Sequence, residues 1–145
     1  MSRKQKALPF LTCSLLFLAP PACRAAARAT PSRYSFDAGI AGTWRGTSLC
    51  QVEGSPCHDE VNVYRFREIP EKPGRFWCTA SKIVDGREVL MGAGSEWSYD
   101  PAKHSLETAL PGASVRLTLD GDQLYGALIL PDHTIYRRIR LKKEH

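Results

Sequence analysis

From Gly42 to Leu141 the chain is punctuated at short intervals by turn signals, and no stretch between them carries a helical period. Asp85-Gly86 is the strongest signal, because it suits a two-residue hairpin turn in which both central residues take positive φ. Asp100-Pro101, Asp120-Gly121-Asp122 and Pro131-Asp132 mark further turns. Between the signals lie eight runs of strand character, at 42 to 50, 60 to 69, 76 to 84, 87 to 99, 105 to 110, 113 to 119, 123 to 130 and 133 to 141. In the second run Tyr64 and Phe66 share one face and Arg65 and Arg67 the other. In the sixth, Val115, Leu117 and Leu119 alternate with Arg116 and Thr118, the period of a half-buried strand. Gly92 and Gly94 fall inside the fourth run and predict a bulge or sharp bend there. Eight short antiparallel strands build either a sandwich or a barrel. Closure favours an all-β, eight-stranded, antiparallel up-and-down barrel, which leaves no free edge and encloses either packed side chains or one small ligand. One such domain over 40 to 143 buries about 65% of its unfolded surface around a single core, and no repeat or second domain is indicated.

The first 29 residues read as a secretion signal. Arg3, Lys4 and Lys6 make a positive start, an apolar run follows over 8 to 19, and 25 to 29 supplies small residues for cleavage. A spanning helix needs roughly 20 consecutive apolar residues. This run is shorter and ends in Pro20-Pro21, so no transmembrane segment is expected in the mature form. Cleavage after Ala27 or Ala29 fits best and leaves a short polar arm over 30 to 39. Lipidation at Cys23 is disfavoured, because Pro20-Pro21-Ala22 matches the usual Leu-containing lipobox poorly. The expected location is the periplasm or the extracellular space.

Removing the leader changes the charge argument. The whole chain carries +5, but Arg3, Lys4, Lys6, Arg24 and Arg28 lie in the leader and no acid does, so residues 30 to 145 balance to zero. Nucleic acid is therefore not an expected partner, since it calls for a clustered basic face on the mature domain.

Of the five cysteines, Cys13 and Cys23 belong to the leader, and Cys50, Cys57 and Cys78 remain in what export makes an oxidising compartment. Cys50 and Cys57 flank Gln51-Val52-Glu53-Gly54-Ser55-Pro56, whose Gly and Pro read as a turn that sets the two thiols face to face. A disulfide between them is expected, contributing about 2.5 kcal/mol on the chain-entropy model. Cys78, in mid-strand, is read as a small buried hydrophobe.

The Gly42-Thr43-Trp44 opening, the short hairpins and the basic residues of the last run resemble the lipocalin and calycin group, in a small bacterial version covering 40 to 143. The resemblance implies that Trp44 caps one end of the barrel and that an arginine from the last strand packs on it. Parity selects among three arginines: Ile135, Arg137, Ile139 and Leu141 share one face, so Arg137 is the one turned inward. Gly42, Trp44 and Arg137 are thus the expected structural residues. A buried guanidinium also needs an aromatic face and carbonyl partners to offset its desolvation.

Catalytic and metal chemistry find little support. His58, Asp59 and Glu60 are consecutive, so Asp59 faces away from the other two, and their spacing matches no established zinc motif. Asp59 or His58 is expected instead to hydrogen-bond the turn that the disulfide closes. No Gly-x-Ser-x-Gly elbow is present, and Cys78 has no neighbouring histidine. No cofactor is expected. The natural function of such a barrel is a pocket at one mouth, holding a small apolar or amphipathic molecule. Tyr64, Phe66, Trp77 and Trp97 are the candidate lining residues, although parity alone does not say which face of the middle strands is inward. The alternative is protein-protein action, as a protease inhibitor or in a structural role at the cell envelope: the chain is similar in outline to bacterial inhibitors of secreted metalloproteases, barrels whose N-terminal arm enters the protease cleft. Its cysteine spacing is tighter than theirs. A monomer is expected.

Overall fold

The structure, a computed structural model, describes residues 39 to 145. The expected leader, and the expected arm apart from Gly39, lie outside the described residues. The described chain contains no helix and nine strands: β1 (Gly42–Cys50), β2 (Glu60–Glu68), β3 (Arg75–Val84), β4 (Arg87–Leu90), β5 (Ser95–Asp100), β6 (Ser105–Leu110), β7 (Ala113–Asp120), β8 (Gln123–Ile129) and β9 (Ile135–Lys143). Sequential neighbours other than β4 and β5 pair antiparallel, and β1 also pairs with β9 and β3 with β5, so the sheet closes on itself. β4 and β5 pair with successive stretches of β3, at Ser81–Val84 and Arg75–Cys78. They occupy one position between them, and the barrel is eight-stranded. This is the architecture expected from the turn spacing, and it is compatible with a lipocalin-like fold.

The run expected as one fourth strand is thus two, separated by Met91–Gly94. Gly92 and Gly94 hold φ of 82° and 96°. A Cβ at Gly94 would stand 2.8 Å from the Cys78 carbonyl oxygen and 2.9 Å from the Trp77 indole nitrogen, so only glycine passes under that ring. At the β3–β4 hairpin Asp85 and Gly86 both take positive φ, 51° and 74°, as the two-residue turn requires.

Alternation along the strands fills one end of the barrel. Trp44, Phe66, Phe76, Leu106, Leu117, Leu124 and Leu141 all point inward and are buried, and Ile40 closes the end from the incoming chain. The Trp44 indole nitrogen donates to the Ile40 carbonyl at 2.8 Å, which ties that entry segment to the ring.

The expected packing of Arg137 on Trp44 is overturned by the register of β1 with β9. Trp44 lies opposite Lys143, and Cys50 lies opposite Arg137. Six residues of strand at ~3.3 Å each put the two sites about 20 Å apart. Parity did identify the inner face, and Arg137 is on it. Lys143 shares that face and takes the cation's place, with its ammonium 5.6 Å from the Trp44 ring centroid and 2.5 Å from the Gly39 carbonyl.

Candidate functional site: a two-sided cavity at the open end

Beyond the packed end the barrel holds a cavity of about 450 Å³, well inside the range of small-molecule sites. Its floor is aromatic. Tyr64 and Trp97 meet edge to face with centroids 6.1 Å apart, and Phe66 meets Trp97 at 5.4 Å on the side nearer the packed end. One wall is apolar, made by Cys78 and Ala80 of β3, Met91, Leu110, Val115, Leu128 and Ile139. The other is polar: Ser48 of β1, Glu60 and Asn62 of β2 and Arg137 of β9. Gly92, Ala93 and Gly94, in the gap between β4 and β5, and Pro111 of the β6–β7 turn form part of its border.

The polar wall follows from strand parity. On β2 every second residue, Glu60, Asn62, Tyr64 and Phe66, points inward, so the first two lift polar groups onto the upper interior while the aromatics lie below. Arg137 reaches across to them from β9. Its Nη1 donates to the His58 carbonyl at 2.9 Å and the Ser48 carbonyl at 3.2 Å, and lies 3.3 Å from a Glu60 carboxylate oxygen. The two side chains are only 13% and 15% exposed, a depth at which a lone charge is costly and a paired one is tolerated. The aromatic face the guanidinium needs comes from its neighbour Tyr136, 5.8 Å from the ring centroid, and not from Trp44. Glu60's second oxygen receives the Lys82 ammonium at 3.3 Å, and Lys82 sits directly across from Asn62 in the β2–β3 ladder. One carboxylate therefore stands between two cations, and this corner keeps one positive charge.

The other ionisable groups of the interior stay neutral. Burial, the largest influence, holds the Tyr64 phenol protonated well above its ordinary range, and burial pushes the Cys78 thiol up to about 12. Asn62 is 3% exposed, and its Oδ1 has no hydrogen-bond partner among the described residues.

The disulfide is present as expected, joining Cys50 and Cys57 with their Cα atoms 5.8 Å apart. It closes the loop beside the polar wall. Asp59 accepts the Cys50 backbone N–H at 2.8 Å, and the next residue back, His58, offers its carbonyl to Arg137. Among the described residues no group of three or more His, Cys, Asp or Glu is arranged to hold a metal.

Of the four expected lining residues, Tyr64 and Trp97 face the cavity and Phe66 supports them from the packed side. Trp77 does not join them. It pairs with Glu96 on the outer face of β3, half-buried over Gly94, because its neighbours Phe76 and Cys78 take the inward positions. The sequence reading missed Asn62 and the Glu60–Arg137–Lys82 cluster. The available signal was the phase of β2: Glu60 and Asn62 alternate in step with Tyr64 and Phe66 and so share their face.

No known family model matches the sequence, and no curated protein matches it.

Proposed function

We propose that the protein is an exported, non-catalytic container for one small apolar or amphipathic molecule. The observation that supports this most is the cavity of about 450 Å³ at the end away from Trp44, with an aromatic floor and an apolar wall. Apolar surface of that kind gains from removing a hydrophobic solute from water, by about 25 cal/mol for each Å² covered. The lining favours binding over reaction, because its thiol is kept protonated at neutral pH and its one carboxylate is engaged by two cations. Export rests on the leader and agrees with the disulfide, which an oxidising compartment preserves.

Native mass spectrometry of the protein purified from its own host tests the reading. The expected result is a co-purifying small molecule that is absent from an Ala80→Trp variant, whose indole fills the cavity. Protein that is ligand-free from its host and takes up no hydrophobic probe in titration would contradict it. Deleting residues 30 to 39 separates this reading from arm-driven inhibition, since a container keeps its ligand without the arm.

A further inference from the structure

The cavity reading above leaves the ligand's polar end open, and the polar wall constrains it. We infer that the cavity selects an amphipathic monocarboxylate with a hydrogen-bond donor beside the carboxylate, as in a hydroxy acid or an N-acyl amino acid. The inference rests on the container reading and adds the chemistry of the head group.

Two independent features of the wall carry it. The first is charge. Arg137 and Lys82 approach Glu60 from two sides, each at 3.3 Å, and Glu60 is the only acid among the described residues that line the cavity. The surplus positive charge is partly screened at Lys82, 38% exposed, and poorly screened at Arg137. An anionic head completes the set, and a cationic one adds repulsion where water is scarce. All of Arg137's recorded hydrogen bonds to described residues use Nη1, which leaves the rest of its donor fork for a carboxylate.

The second feature is an unpartnered amide oxygen. Asn62 is buried in the wall between Glu60 and Tyr64, directly across the ladder from Lys82, and its Oδ1 accepts nothing among the described residues. Buried amides are ordinarily paired, because an unmet acceptor keeps its full desolvation cost. An asparagine here, where leucine of similar volume would avoid that cost, points to a donor arriving with the ligand. A carboxylate taken by the free donors of Arg137 stands on the same wall as Asn62, which receives the neighbouring N–H or O–H, while the apolar body lies against Trp97, Val115 and Leu128. The volume equals that of about fifteen waters at ~30 Å³ each, which suits one medium-chain amphiphile.

Four probes isolate the two features by isothermal titration below their micelle concentrations: N-dodecanoylglycine, N-dodecanoylsarcosine, dodecanol and dodecyltrimethylammonium. The glycine and sarcosine compounds share chain and charge, and in the second an N-methyl group replaces the amide N–H. We expect the glycine compound to bind about tenfold more tightly than the sarcosine compound, the effect of one buried hydrogen bond. Both should outbind dodecanol, and the ammonium should bind least. Asn62→Leu should erase the difference between glycine and sarcosine compounds while keeping the preference for anion over cation, a selective loss a purely structural asparagine would not show. Lys82→Gln, at a half-exposed site, should shrink the preference for anion over cation. Equal binding of the first two probes, equal binding of anion and cation, or a preference for the glycine over the sarcosine compound that survives Asn62→Leu overturns the inference and leaves the container reading standing. Binding of none of the four removes the container reading, and this inference with it.

Discussion

Trp44 shows what a single residue contributes here. It is wholly buried, it donates to the Ile40 carbonyl, and it carries the Lys143 ammonium on its face. Trp44→Ala should cost about 3 to 5 kcal/mol, the usual range for a buried aromatic cut back to alanine. Trp44→Phe keeps most of the volume and leaves the Ile40 carbonyl unpaired, so about 1 to 3 kcal/mol is expected. Urea denaturation separates the two: no loss in Trp44→Phe would mean that the hydrogen bond does nothing, and equal losses would mean that the ring's packing adds nothing to it. Arg137→Ala acts at the other end, so it should leave the Trp44 environment alone while weakening ligand binding. Inward parity at Arg137 was legible in the sequence, because a strand's two faces alternate residue by residue. Its distance from Trp44 was not, since that depends on how β9 slides against β1, and Lys143 has the same parity as Arg137. Trp77 was ambiguous for a related reason: β3 carries aromatics on both faces, and only pairing with Glu96 shows which is outside.

At the level of elements, the least regular segments border the cavity, and each has a distinct weakness. The Cys50–Cys57 loop is short, so its disulfide restricts the unfolded chain modestly, and the pair Cys50→Ser and Cys57→Ser should lower stability by about 2.5 kcal/mol. Binding should fall as well, because the loop presents the His58 carbonyl to Arg137. A double-serine variant that melts lower but keeps full affinity would separate the loop from the site. The gap between β4 and β5 depends on Gly94. Gly94→Ala meets both a positive φ and the Cys78 carbonyl oxygen, and should cost at least ~1 to 3 kcal/mol. Gly54→Ala has a positive φ with open space around it and should cost less. Denaturation curves that rank the two the other way would mean that the break relaxes around a side chain. The strand count of the barrel could be read from turn signals because tight turns have local chemistry. The split of the fourth run could not, because Gly92 and Gly94 announce a bend without saying that β3 changes partner across it.

For the molecule as a whole, closure of the barrel sets its response to pH. Acids on the outside are held low by their partners: Glu88 goes to about 2 through its hydrogen bonds with Arg65 and Ser81, and Glu96, Asp100 and Asp132 move the same way. In the unfolded chain these carboxyls take protons at higher pH than in the barrel, so stability is present above ~4.5 and is lost as the pH falls toward ~2. All four groups are in contact with water and screened by it, so this acid limb should be shallow and should flatten further in salt. The alkaline limb has the opposite origin. Cys78 and Tyr64 point into the barrel, where burial raises both above their unfolded values of 9.0 and 10.0. Above those values the unfolded chain releases protons that the folded barrel still holds, so stability is full below about 9 and declines as pH rises toward 12. Thermal melts from pH 7 to 11.5 should show that decline. Cys78→Ala should lower the whole curve by a constant and make its fall above pH 9 shallower, since one of the two retained protons is gone. A slope identical to that of the unmodified protein would show that water reaches the thiol. Such a result would also mean that the cavity wall at Cys78 is wet, and would weaken the apolar side of the site on which the container reading depends.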